Sequence, residues 1–180
     1  AAHQIAITLA ATTFLTASGI SAAVTVRVGK FHGSENPLQL RQAAFTGYAL
    51  VGLFMAATGV AFIALRHVLP TFFTPDPVVR DITAGLLIVT GFFQVSDGLQ
   101  VTGMATLRGL KDVRKPTLIA LVSYWLIGLP TGYLLAFVLN MGAQGVWWGL
   151  AIGLTVAAIL LFWRYQRFTL RLLHWAKPIA

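Results

Sequence analysis

Apolar residues fall in five long runs, separated by short stretches rich in Gly, Pro, Ser, Asn and charge. The runs cover about 1–28, 40–65, 78–107, 117–139 and 143–165. Each reaches the roughly 20 mostly apolar residues that a helix needs to cross a bilayer. The pattern predicts an all-α, polytopic membrane helix bundle. The first run is the most polar, with Gln4, Thr8, Thr12, Thr13, Thr16, Ser18, Ser21 and Thr25; small hydroxyl side chains let helices approach closely and bond across to one another. The breaks GKFHGSENP and LPTFFTPDP separate the first three runs, and the three prolines of the second exclude a regular helix there. Asp76 is predicted to cap the third helix, with Pro77 at its first position. Within the fourth run Gly128, Pro130 and Gly132 place a proline kink inside a pair of small residues, and Asn140 to Gly142 make a tight connection. In the fifth run Gly145, Gly149 and Gly153 recur every fourth residue and form a flat face for close packing.

Composition excludes the soluble alternative. Hydrophobic residues make up 57% of the chain and charged residues 10%, against about 25% charged in an ordinary soluble domain. The net charge of +8 raises the question of nucleic acid. The basic residues, however, sit in short loops between apolar runs, where they suit anionic lipid headgroups and not a nucleic-acid groove. There is no cysteine, hence no disulfide and no thiolate metal site. The chain opens AAHQIAITLA, without Met or a basic leader and already inside an apolar run, so it is expected to be a piece of a longer polypeptide.

Loop charge predicts orientation. The loop after the first run carries Arg27, Lys30 and Arg41 against Glu35; the loop after the third carries Arg108, Lys111, Arg114 and Lys115 against Asp112. The break after the second run balances Arg66 and Arg80 against Asp76 and Asp81, and the loop after the fourth has no charge. The tail, 166–180, is basic, and just before it Arg164 shares a helical face with Arg167 and Arg171. Basic and neutral loops alternate, which puts the basic loops and the C-terminus in the cytoplasm. The tail reads as the last helix continuing into an interfacial amphipathic segment, anchored by Trp175 and basic side chains including Lys177.

Among five acidic residues, only Asp97 falls deep inside an apolar run. On a helix, Thr90, Phe93, Gln94, Asp97, Gln100 and Val101 form one stripe, with the carboxylate between two amides and an aromatic ring. A charge at that depth costs roughly 2.5–3.5 kcal/mol on insertion scales, so it normally faces a bundle interior or a watery path. The plainer alternative is an Asp hydrogen-bonded in the core to fix helix packing. No phosphate loop, HExxH pair or GxSxG elbow occurs, and His3, His32, His67 and His174 are far apart. One carboxylate lacks the second group that hydrolysis needs; it suits the binding of a cation or a proton. No enzyme activity is therefore expected.

The strings AAHQIAI, GISAAVTVRVG, FQVSDGLQ, LRG and SYWLIGLPTGY occur in that order over nearly the whole chain. Together they resemble the C-terminal lobe of multidrug and toxic compound extrusion (MATE) transporters of the NorM-like bacterial kind. The resemblance implies helices eight to twelve of a twelve-helix fold, in a bacterial inner membrane. It implies expulsion of cationic, often aromatic drugs in exchange for Na⁺ or H⁺, with no other cofactor. It places Asp97 at the family's acidic position in cation or proton coupling, with Na⁺ as the metal it would bind. Gln4 falls on a cavity-lining position, Phe14 and Phe93 on aromatic positions facing that cavity; Gln94 and Gln100 flank Asp97 as candidate substrate contacts. The N-terminal lobe of the same polypeptide is the implied partner, besides membrane lipid, and without it the chain is not expected to transport. Two other readings stay open: a lipid-linked oligosaccharide flippase of the same superfamily, and a non-transporting membrane subunit.

Overall fold

Local chemistry sets where each helix begins and ends. In the computed structural model, which describes residues 1–175, α1 (Ala2–Gly33) stops ahead of Glu35, whose φ of +52° turns the chain. Asn36 caps α2 (Pro37–Ala64) by accepting the Gln39 backbone N–H at 3.1 Å, with Pro37 in the first turn. A single 3₁₀ turn, Leu69–Phe72, follows. Asp76 caps α3 (Pro77–Gly109) as the sequence predicts, accepting from the backbone N–H of Val78 at 2.9 Å and of Val79 at 3.4 Å. Lys111 and Asn140, with φ of +60° and +55°, make the turns on either side of α4 (Arg114–Val138). The last helix, α5, spans Gly142–Trp175. All five are long and apolar enough to cross a membrane, and the described residues contain no strand.

The helices overrun several predicted bounds because their caps lie outside the apolar stretches. Pro116 sits in the first turn of α4, where a missing N–H costs nothing, so that helix begins at Arg114 and not near Thr117. Pro130 acts differently from a simple kink. The α-helical turn Leu129–Tyr133 around it is bracketed by two π-helical stretches, Ser123–Gly128 and Leu134–Val138. A proline removes one ladder hydrogen bond and crowds the preceding turn, and wider turns accommodate both effects. α5 continues unbroken into the tail as far as Trp175. The side chain of Trp175 and all of Lys177, assigned to the tail's anchor, lie outside the described residues.

α3 is the centre, packed against α1, α2 and α5. Its contact with α2 depends on glycine: a Cβ on Gly59 would lie 2.5 Å from the Gly91 carbonyl oxygen. Its contact with α1 is polar as well as apolar, through Ser21 to Thr102 at 3.2 Å and the Thr25 hydroxyl donating to the Ala105 carbonyl at 3.0 Å. The reading of the hydroxyl-rich first helix is thus correct for these residues. It does not hold for Thr8 and Thr12, which are exposed and donate to their own helix at 2.8 Å. α4 packs on α5 along its length and meets α3 only sparsely. There the two small-residue patterns find each other: Gly128 and Gly132 lie against Gly149 and Gly153, backbone to backbone, while Gly145 lies against the backbone of Leu135 and Ala136.

The termini of the helices agree with the antiparallel order that loop charge suggests. At one end Arg41 donates to Thr169 at 2.9 Å and to Gln166 at 3.1 Å. At the same end of α5, Arg164 pairs with Asp112 of the α3–α4 turn at 2.5 Å. At the other end the Trp147 indole N–H donates to His3 Nδ1 at 3.1 Å, joining the starts of α5 and α1. The loops read as basic therefore lie together.

Candidate functional site

Asp97 lies midway along α3, half-buried. Among the described residues its carboxylate has no hydrogen bond and no ion pair. Tyr124, half-buried at the first π-helical stretch of α4, is close enough to interact with it electrostatically. The two residues stand on helices that meet only sparsely. A carboxylate used to fix helix packing would have its oxygens taken by neighbouring donors. These are not.

The rest of the predicted stripe divides among different neighbours. Gln94 is fully buried and points into the junction of α1 and α2, its amide nitrogen 2.5 Å from the Thr13 hydroxyl and 3.3 Å from that of Thr58. Both hydroxyls already donate to carbonyls of their own helices, Thr13 to Ala10 and Thr58 to Met55. They can only accept from Gln94, which fixes the amide's orientation and leaves its Oε1 buried without a partner. Phe93 stacks at a tilt on Trp147, ring centres 5.6 Å apart, within the apolar cluster that joins α1, α3 and α5. Thr90 is buried and bonds back to Leu86. Gln100 and Phe14 are half-buried. Gln4 is exposed at the start of α1.

Gln4 has company that sequence reading treated only as packing. Thr8, Thr12 and Thr16 are also exposed, and their spacing of four places them with Gln4 on one face of α1. This polar face is turned away from the bundle in a chain whose other exposed surfaces carry Leu, Val and Phe. Every fourth residue being Gln or Thr was the available signal. Tyr124 was missed for a simpler reason: it stands on another helix, and only the packing of α4 brings it toward α3. The described residues contain no cluster of three or more His, Cys, Asp or Glu side chains able to hold a metal ion.

The MatE family model matches residues 1–134, from the polar face of α1 through Asp97 to the glycines of α4. The chain belongs to the MATE family. A probable multidrug resistance protein NorM of Rhodopseudomonas palustris is 43% identical over 173 residues, covering 94% of this chain and 36% of that protein. The multidrug resistance protein NorM of Burkholderia vietnamiensis is 41% identical, covering 92% and 37%. Among solved structures, a eukaryotic MATE transporter superposes with a TM-score of 0.85 at 23% identity, over 95% of this chain and 39% of the other. An inward-facing MATE family transporter of the MOP superfamily gives 0.84 at 19% identity, over 96% and 40%. The all-helical MATE fold is thus established, and the resemblance read from the five ordered strings is correct at the level of family. The chain spans well under half the length of these relatives, which are described as resistance proteins and transporters and not as enzymes.

Proposed function

We propose that residues 1–180 form part of the C-terminal lobe of a secondary transporter that expels cationic aromatic drugs in exchange for Na⁺ or H⁺. Asp97 is the coupling carboxylate. The observation that carries the proposal is a half-buried carboxylate, free of any described protein partner, in the middle of a membrane-length helix. Such a group binds what it lacks, a proton or a cation. A proton, Na⁺ and a cationic drug would compete for it, and that competition is the chemical basis of exchange when two lobes rock to alternate access. A Na⁺ ion at Asp97 needs further oxygen ligands, and the Tyr124 hydroxyl is one candidate from another helix. The exposed Gln4, Thr8, Thr12 and Thr16 face suits a watery cavity shared with an N-terminal lobe, with Phe14 and Phe93 as aromatic contacts and Gln94 and Gln100 as amide contacts. The NorM relatives support a bacterial inner membrane as its location, and the loop charge favours a cytoplasmic C-terminus.

The test is ethidium efflux from cells expressing the full-length gene product, wild type against Asp97→Asn, with Na⁺ and pH varied separately. Loss of efflux at normal expression is the expected result, and the ion dependence names the driver. Unimpaired efflux in the variant would reduce Asp97 to a packing residue. No efflux from the wild type would favour the flippase reading.

A further inference from the structure

Four cationic side chains line one cleft of about 420 Å³ between the beginning of α4 and the last turns of α5: Lys115, Arg164, Arg167 and Arg171. One carboxylate offsets them. Asp112 is committed to Arg164 at 2.5 Å, so Lys115, Arg167 and Arg171 have no ion-pair partner among the described residues. Like charges held around a concave surface repel one another, and an anion seated among them relieves that repulsion. We propose that this cleft binds the phosphate headgroup of an anionic phospholipid.

Three features favour a lipid over free phosphate. Arg164 stands at the end of the apolar run that ends near 165, so the cleft lies where hydrocarbon gives way to headgroups. Part of the lining is apolar, Ile119, Leu160 and Phe168, which suits the first carbons of an acyl chain and offers nothing to a bare ion. Trp163 borders the cleft, and the Arg167 guanidinium lies 3.7 Å over its ring. That stacking holds the guanidinium in place while leaving its edge N–H groups free to donate to phosphate oxygens. Basic pockets between membrane helices recognise anionic headgroups through this combination of charge and apolar wall. The site is remote from Asp97 along the helices and needs no part of the proposed transport chemistry.

Bromine-labelled acyl chains quench nearby tryptophan fluorescence, and Trp163 reports from the cleft itself. The full-length gene product, purified and delipidated in detergent, is titrated with brominated phosphatidylglycerol and, separately, brominated phosphatidylcholine. A Trp163→Phe variant identifies the share of quenching that belongs to this site. Phosphatidylglycerol should quench at concentrations at least about tenfold lower, since each surface cation contributes about fivefold in affinity. The Lys115→Gln, Arg167→Gln, Arg171→Gln variant should lose that preference. An Arg108→Gln, Arg114→Gln variant, which changes charge at the same end of the protein outside the cleft, should keep it. Inorganic phosphate at millimolar concentration should not displace the lipid. Equal quenching by both lipids, or retained preference in the triple variant, would overturn the proposal. Complete displacement by inorganic phosphate would reassign the site to a free anion.

Discussion

The contact between α4 and α5 makes a graded prediction, because the glycines there differ in how much room they leave. A Cβ on Gly145 would lie 2.5 Å from the Ala136 nitrogen and 2.6 Å from the Leu135 carbonyl carbon. Carbon atoms in ordinary contact sit about 3.5–4.0 Å apart, so Gly145→Ala requires the helices to part by about 1 Å. The atoms in the way are backbone, which no rotamer change can move. Gly149→Ala meets the Gly132 backbone more closely still. Gly153→Ala needs only a few tenths of an ångström, its Cβ lying 3.1 Å from the Gly128 Cα. Gly19 has nothing within 4 Å of its Cβ position. Overpacking in a tight contact costs about 1–3 kcal/mol, and separating the helices also loses dispersion along the stripe. Gly145→Ala and Gly149→Ala should fall at or above the top of that range, Gly153→Ala near its lower end. Gly19→Ala should be neutral or gain up to about 1 kcal/mol from helix propensity. Reversible unfolding in mixed micelles measures the series. If Gly145→Ala proved as stable as Gly19→Ala, the close approach of α4 and α5 would be wrong.

Two further substitutions probe polar contacts. Asp112→Asn removes the partner of Arg164, a pair whose side chains are 14% and 24% exposed; partial exposure screens it, so the cost should be about 1 kcal/mol and should shrink in high salt, as measured by the same unfolding assay. Arg164→Gln in the Asp112→Asn background should then cost little more. Gln94→Leu loses two hydrogen bonds but also removes a buried, unpaired Oε1, while Thr13 and Thr58 keep their donations to backbone. Its stability should therefore stay within about 1 kcal/mol of wild type. If efflux falls while stability holds, Gln94 belongs to the transport site; if neither changes, it is a packing residue.

Local signals were legible in the sequence and long-range ones were not. Asp76 with Pro77 marks a helix start because capping involves only neighbours along the chain, whereas Asn36 with Pro37, read only as part of a break, caps α2 in the same way. The five spans follow from composition over windows of bilayer length. The glycines of α4 and α5 announce a close contact, although not that they would meet each other. Asp97 was legible as an anomaly, a charge where none belongs. Its surroundings were not, because residues sharing a helical stripe need not share neighbours. Gln94 and Asp97 are one turn apart, yet Gln94 turns to Thr13 and Thr58 on α1 and α2 while Asp97 interacts electrostatically with Tyr124 on α4. Arg164 and Asp112 are separated by most of two helices, and only the packed bundle brings them into contact.

The bundle is joined in two physically different ways, and Asp97 stands between them. α1, α2 and α3 are tied around α3 by side-chain hydrogen bonds, Ser21 to Thr102, Thr25 to Ala105 and Tyr48 to Thr106, in addition to the close approach of Gly59 to Gly91. α4 and α5 are joined by glycine faces that exclude side chains. Hydrogen bonds of this kind fix direction and register, because each donor has one acceptor. Glycine faces fix distance but resist sliding less, because the contact is nearly featureless. α4 also carries two π-helical stretches, whose wider turns hold fewer optimal backbone bonds than an α-helix of the same length. The more adjustable element of the fold therefore borders the unpaired carboxylate, with Tyr124 at the first of those stretches. A ligand that binds Asp97 has a yielding neighbour on the α4 side and a fixed one on the side of α1 and α2. Any structural response to binding should accordingly be found in α4, and amide hydrogen exchange at 123–138 is where it would be seen first.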